Sequence, residues 1–439
     1  MSPTHAKVAF VTGANGITGN AIVEHLIRQP ATEWSKIVIS SRRKPTQVFW
    51  QDPRIRFIAL DFLKPVDELM EAMKPLCHDV THAFFASYVH TADFAKLRDL
   101  NVPLFKNFLS AIDMVAWNSL KRVCLSTGGK VPIHEGMPRY QDHGENFYYP
   151  QEDYLFDLAS KREWDWNVIR PNAIIGFTPA GNGMSAALTL AIYILTCREM
   201  GEVPVFPGNK FFYNSVDDAS YAPSLADMNV WAATSENTKN EAFNHTNGDV
   251  FVWKHFWPKL GKYFGVDEWS AAGDGQRMEH NFLMTEWAKD KAPIWKRAVE
   301  KHGGNPEAFN WGTWDFFDWA VGKAWLTIGS VSKARKFGWT RYDDTYDTYI
   351  ETFRSFENAG ILPLTVEQQS LPADTRAKLA PHPGDAVAAR ESAAAVNGFK
   401  KAEPRSNGVE PRSNGVKSFI VDSKFGAEVG HVETVEIVN

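Results

Sequence analysis

The sequence predicts an α/β fold: a doubly wound parallel sheet, then a smaller, mainly helical region, then a disordered C-terminal tail. Three observations carry that prediction. Short apolar runs alternate with longer helical patterns through residues 1–170, as in a parallel sheet with crossover helices. The first run, Val8–Thr12, passes directly into a glycine turn and a helix. Past Pro363 the apolar periodicity stops, and Gln, Ser, Pro, Ala, Gly and charged residues take over.

The glycine turn reads Thr12-Gly13-Ala14-Asn15-Gly16-Ile17-Thr18-Gly19. Its three glycines allow a tight turn, close backbone approach to a pyrophosphate, and packing of the helix on the strand. The helix N-terminus then presents free N–H groups and its positive dipole end. With a strand before and a helix after, this is the dinucleotide site of a Rossmann-type fold. Further strands are expected at Lys36–Ser40, Ile55–Ala59, Thr81–Ala86, Arg122–Leu125 and Trp166–Arg170, with helices near 17–28, 66–74 and 94–117. Beyond Arg170-Pro171 come an apolar helix over Met184–Cys197, a strand–loop segment around Phe212–Asp218, and a helix over Ala219–Thr234. Asp217-Asp218 are placed to cap that helix. Helices are expected again at 253–265, 292–302, 311–328 and 342–358. Residues 1–170, with later strands returning to them, form the nucleotide domain; 171–363 form the substrate region; 364–439 form the tail.

Net charge is −5, without a long basic run, which argues against nucleic acid as a partner. The longest uncharged stretch, Pro171–Cys197, has a helical part too short to span a bilayer, so no membrane insertion is expected. Cys77, Cys124 and Cys197 lie far apart in apolar runs without metal-ligand spacing, as buried thiols in a reducing compartment do. No signal peptide pattern precedes Val8, and a cytoplasmic protein is expected. Ten of the 16 tryptophans fall between Trp253 and Trp339. They suit either an aromatic core or the wall of an apolar pocket. In the tail, Glu403–Val409 is repeated at once as Glu410–Val416. So short a polar repeat is a linker pattern, and 364–417 are expected to be disordered; 418–438 hold some alternating apolar residues.

The second strand ends Ser40-Ser41-Arg42-Arg43-Lys44. An acidic residue here would bind the ribose 2′-hydroxyl of NADH. Two arginines stand there instead, and guanidinium groups suit a 2′-phosphate, which selects NADPH. Asp61, followed by Phe62, ends the third strand where an adenine amino group can be met, although capping its own loop is an equal use. Ala86-Ser87-Tyr88, after the fourth strand, should pass the cofactor ribose. A reductase also needs a donor for the charge that develops on the substrate oxygen. None of the twelve tyrosines is followed four residues later by Lys. Two stretches are candidates to replace that pair: Ser126-Thr127-Gly128-Gly129-Lys130, at the carboxyl edge of the sheet, and Asn146-Phe147-Tyr148-Tyr149, at a helix start.

Together with Arg170-Pro171, Ile175-Gly176-Phe177-Thr178-Pro179, Asn240–Asn244, Asn247–Phe251 and Trp253–Trp257, these motifs resemble the progesterone 5β-reductase/iridoid synthase-like (PRISE) enzymes, an atypical branch of the extended short-chain dehydrogenase/reductases. The resemblance covers about residues 7–363. It implies NADPH-dependent reduction of an activated C=C in an enone or enal, with Lys130 and Tyr148 catalytic and Tyr149 structural. The cofactor would meet Thr12, Gly13, Asn15, Gly16, Ile17, Gly19, Ser41, Arg42, Arg43, Asp61, Phe62, Ala86, Ser87, Tyr88, Lys130, Tyr148, Pro171, Ala173 and Ile174; no metal is implied. The partner would be a small apolar carbonyl compound of specialised metabolism, and a homodimer is compatible. The chain departs from the family where Val131-Pro132 follows the lysine instead of His-Tyr, where the Lys130–Tyr148 segment is shorter, and where Arg-Pro-Gly reads Arg170-Pro171-Asn172. Two other activities fit the same residues: 1,2-reduction of a ketone, and a non-catalytic NADP-binding regulator whose tail recruits a partner.

Overall fold

Both faces of the first strand are covered by helices, so it is apolar throughout rather than alternating. Val8, Ala9, Phe10 and Val11 are all buried. The computed structural model describes residues 6–45, 51–91, 93, 96–129, 139, 146–266, 282–372 and 375–376. In chain order these form β1 (Lys7–Thr12), α1 (Ile17–Arg28), β2 (Trp34–Ser41), β3 (Ile55–Ala59), α2 (Val66–Cys77), β4 (His82–Phe85), α3 (Leu97–Val115), β5 (Arg122–Ser126), α4 (Tyr148–Ala159) and β6 (Asp165–Pro171). There follow β7 (Ile174–Ile175), α5 (Ala186–Met200), α6 (Lys210–Asn214), β8 (Val216–Asp217), β9 (Ser220–Tyr221), α7 (Ala222–Thr234), β10 (Glu241–His245) and β11 (Phe251–Val252). The remainder is helical: α8 (Trp253–Tyr263), α9 (Met284–Ala288), α10 (Ala292–His302), α11 (Trp314–Val321), α12 (Ser332–Lys336), α13 (Thr345–Asn358) and α14 (Val366–Gln369).

Seven strands form one sheet in the order β10-β6-β5-β4-β1-β2-β3. Every pairing in it is parallel. The order reverses between β1 and β4, which opens the crevice where such sheets bind ligands. One sheet face is covered by α2, α3 and α4 around Phe85, Phe105, Phe108, Leu125 and Leu155. The other is covered by α1, α7 and α12 around Ile22, Leu26, Leu225, Met228 and Phe243. A third core joins α5, α8, α10 and α13, with Phe206, Trp257, Trp295 and Phe353 fully buried. Trp253, Trp257, Trp295 and Trp339 are buried and Trp325 is exposed, so much of the tryptophan excess builds the core. Trp311, Trp314 and Trp319 stay half-buried. The three cysteines are buried free thiols, with burial pushing each up to about 12. No described helix is long and apolar enough to cross a membrane.

Three expectations need correction. Asp217 and Asp218 do not cap α7: Ser220–Tyr221 pairs with Ile174–Ile175 as a strand, and Tyr221 is the residue before the helix. The helix expected over 311–328 spans only Trp314–Val321. The Asn209 side-chain amide donates to the carbonyls of Gly322 and Lys323 (2.8 and 3.0 Å), so the chain leaves the helix with those acceptors satisfied. The tail begins later than Pro363, because Thr365 caps α14 and Gln368 is buried. Apart from 370–372 and 375–376, the rest of the predicted tail, with its repeat, lies outside the described residues.

Candidate active site

The crevice is built from two close backbone approaches. Gly13 has φ +62°, and a Cβ there would stand 2.5 Å from the carbonyl oxygen of Ala86, just beyond β4. A Cβ on Gly19 would stand 2.2 Å from the Gly13 carbonyl oxygen. Only glycine permits this packing. The Ala86 N–H donates to Thr12 Oγ1 at 3.1 Å, which fixes the turn to the β4 end. Helix α1 has no side-chain cap and no acidic residue in its first turn. The Gly16 N–H closes the turn on the Gly13 carbonyl at 2.8 Å, which leaves the first helical N–H groups, from Ile17 on, to meet an anion. Asn15 is exposed at the mouth of the turn.

Ser41 is buried and donates from Oγ to the Arg43 carbonyl at 2.5 Å, shaping the loop after β2. Arg42 and Arg43 are exposed, and neither makes an ion pair among the described residues. Asp61 uses one carboxylate oxygen to accept from the Leu63 N–H at 3.1 Å, capping its own turn. Phe62 turns its ring into the core, 5.5 Å from Phe108 and 6.4 Å from Phe85, so only its backbone faces the loop. Pro171 is buried at the end of β6, Ala173 is exposed, and Ile174 pairs with Ser220. A dinucleotide fits this donor set: an uncapped helix start at the switch point, with two exposed guanidinium groups at the end of the adjacent strand.

Tyr148 opens α4, and its N–H donates to Asn146 Oδ1 at 3.2 Å. Its ring packs on Phe147 at 4.3 Å, and Phe147 packs on Tyr88 at 6.0 Å. A Cβ on Gly128 would stand 2.8 Å from the Tyr148 hydroxyl, so that hydroxyl rests on the glycine turn after β5. Among the described residues it has no hydrogen-bond partner. Burial, and then the Tyr88 hydroxyl, push Tyr148 well above the ordinary tyrosine value. Burial and Asp315 push Tyr88 up to about 12. Both are therefore neutral donors. Lys130 lies outside the described residues; Gly128 and Gly129 immediately before it are placed against Tyr148 and Asn172.

The position four residues after Tyr148 holds Glu152, which is fully buried. Its carboxylate accepts from Arg170 Nε and Nη2 at 3.0 and 2.8 Å, and from Arg139 Nη2 at 3.1 Å. The first turns of α4 are thereby tied to the end of β6. Arg139 also lies over the Tyr149 ring at 4.7 Å, in keeping with a packing role for that tyrosine. A second buried network adjoins the glycine turn. The Asn172 amide donates to an Asp218 carboxylate oxygen and to the Thr327 carbonyl. Asp218 accepts in addition from the Gly329 N–H at 2.7 Å. Burial pushes the Asp218 carboxyl up to about 7, against the lowering effect of its hydrogen bonds to Asn172 and Gly329. Buried Lys323 donates to Thr327 Oγ1 at 3.0 Å, and burial lowers its ammonium while Asp217 and Asp218 oppose that. The sequence marked Asn172 only as a departure from a motif, and nothing local singled out Glu152.

Residues 9–310 match the PRISE-like Rossmann-fold domain. The short chain dehydrogenase gsfE of Penicillium aethiopicum is 41% identical over 377 residues, covering 81% of this chain and 99% of that protein. The (S)-8-oxocitronellyl enol synthase ISY1 of Nepeta cataria is 34% identical, covering 80% and 93%. The 3-oxo-Delta(4,5)-steroid 5-beta-reductase of Arabidopsis thaliana is 31% identical, covering 82% and 95%. With the glycine turn at the switch point and the Tyr148 hydroxyl at the sheet edge, these likenesses lead to one conclusion: the chain belongs to the PRISE-like Rossmann-fold family and is an NAD(P)-dependent oxidoreductase of the short-chain dehydrogenase type.

Proposed function

We propose that the protein is an NADPH-dependent reductase that adds hydride to the β-carbon of an enone or enal in an apolar small molecule. Residues 1–170 and β10 hold the nucleotide in this reading, and 171–363 cover the substrate. The observation that carries it is the Tyr148 hydroxyl resting on Gly128 without a partner among the described residues, with Glu152 rather than a lysine four residues on. Bound NADPH supplies the hydride; Arg42 and Arg43 would hold its 2′-phosphate. The Tyr148 O–H donates to the substrate carbonyl oxygen. As hydride reaches the β-carbon, the C=C electron pair moves to the α-carbon side and negative charge gathers on that oxygen. Tyr148 and the Lys130 ammonium hold the enolate, as a side-chain oxyanion hole. Water then supplies the proton to the α-carbon, which completes the saturated carbonyl compound and leaves hydroxide to the solvent. Because its hydroxyl is held above the ordinary value, Tyr148 acts as a donor and not as a base. The names of two relatives, a steroid 5-beta-reductase and an oxocitronellyl enol synthase, support this substrate class.

The test is NADPH consumption over a panel of enones, enals and saturated ketones, with product saturation determined. Saturated carbonyl products are expected. Allylic alcohols alone would replace this reading with 1,2-reduction, and NADPH binding with no turnover would favour a regulator.

A further inference from the structure

The reaction above leaves one polar pair unused. His90 lies on the loop after β4, two residues beyond Tyr88, and Asp315 lies in the first turn of α11. His90 Nε2 and Asp315 Oδ2 are 3.2 Å apart. The His90 ring stands 6.3 Å from the Tyr88 ring, and Tyr88 leads through Phe147 to Tyr148. A wall of four rings thus runs from this pair to the proposed carbonyl donor. On its other side His90 is backed by Gly183, where a Cβ would come within 2.8 Å of the His90 Cβ. The elevated Tyr88 hydroxyl, which feels Asp315, places the carboxylate on the same wall.

His90 Nδ1 is buried and has no hydrogen-bond partner among the described residues. Buried polar atoms in native proteins are nearly always paired, so this nitrogen calls for a partner beyond the described residues. Its chemistry specifies which one. A carboxylate only accepts, so Nε2 carries the N–H that faces Asp315, and in this tautomer it is the ring's single N–H. Nδ1 is then a bare acceptor. It complements an O–H and not a carbonyl.

Resting on the reductase reading, we propose that His90 Nδ1 accepts a hydrogen bond from a hydroxyl of the substrate, remote from the carbonyl held by Tyr148, so that the substrates are hydroxylated enones or enals. Asp315 is the positioning residue that fixes the imidazole tautomer.

A hydroxyl can also come from the cofactor ribose, and the experiment separates the two sources. Straight-chain trans-2-enals of graded length, each with and without a terminal hydroxyl, are assayed by NADPH consumption with wild type, His90→Asn and His90→Phe. NADPH Kd is measured for each protein. Wild type is expected to favour the hydroxylated enal by about tenfold in kcat/KM at the matching chain length, mainly through KM. In His90→Phe the preference falls to near unity. His90→Asn, with an amide oxygen in place of Nδ1, keeps part of it. A preference absent at every length overturns the proposal, as does one unchanged in His90→Phe. A weakened NADPH Kd with equal loss on both enals assigns the hydroxyl to the cofactor and also overturns it. Wild type inactive on every enal overturns the reductase reading and this inference with it; turnover without preference overturns the inference alone.

Discussion

Replacing Tyr148 with phenylalanine removes one oxygen and little else. The hydroxyl has no partner among the described residues, so no hydrogen bond among them breaks. The ring keeps its packing on Phe147 at 4.3 Å and its seat beside Gly128. Stability should therefore shift by less than about 1 kcal/mol. The chemistry should suffer far more. Loss of one preorganised donor to a developing oxyanion costs roughly 3–4 kcal/mol, or about 10²–10³ in rate. Single-turnover loss of NADPH absorbance on an accepted enone measures hydride transfer directly, and fluorescence titration measures NADPH affinity beside it. The rate should fall by about two orders of magnitude or more with NADPH Kd nearly unmoved. A mutant rate within about a factor of three of wild type would refute the assignment. A companion pH profile sharpens the test. Burial and Tyr88 hold the hydroxyl above its ordinary value, so wild type should lose no activity to tyrosine ionisation as pH rises toward about 10.

Other consequences can be measured independently. Alanine at both Arg42 and Arg43 should raise KM for NADPH far more than for NADH; an unchanged cofactor preference contradicts the 2′-phosphate reading. Asp218 carries a folded value of about 7 against an ordinary 3.8, so the folded state binds the extra proton and stability declines as pH rises from about 4 to about 7, by at most about 4 kcal/mol. Asp218→Asn should flatten that decline in thermal melts, and equal slopes in both proteins would sink the idea. Glu152→Gln removes the charge that Arg170 and Arg139 share, and should cost about 3–5 kcal/mol in urea unfolding; a cost below about 1 kcal/mol would show the network to be unimportant.

What could be read in the sequence follows from the range of the interaction. The β1–turn–α1 unit is encoded within Lys7–Arg28 by an apolar run and glycine spacing, and it folds as that pattern requires. Arg42 and Arg43 were legible because a loop after a strand exposes its side chains. Local signals misled where a tertiary partner competed. Asp217 and Asp218 look like helix caps, yet Trp253 Nε1 and the Gly329 N–H claim them, and the chain before α7 pairs as a strand instead. The 311–328 pattern continues past Val321, but Asn209 satisfies the carbonyls there and the helix ends. His90–Asp315, Asn172–Asp218 and Glu152–Arg170 join residues far apart in the chain, and no local periodicity announces such pairs.

Glu152 also bears on how this site could arise from, or revert to, one with tyrosine and lysine on a single helix. Exchanging Glu152 for lysine changes one residue on paper. In the folded chain it would set a buried ammonium against the guanidinium groups of Arg170 and Arg139, which now point at that position from 2.8 to 3.1 Å. Like charges confined out of water repel by several kcal/mol, enough to consume much of a domain's stability. The route between the two designs therefore has an ordered first step: Arg170 must be neutralised before the helix can accept its lysine. While Glu152 is paired with Arg170, folding stability alone disfavours a lysine at this position, and in the reductase proposed above the cation has to come from another segment.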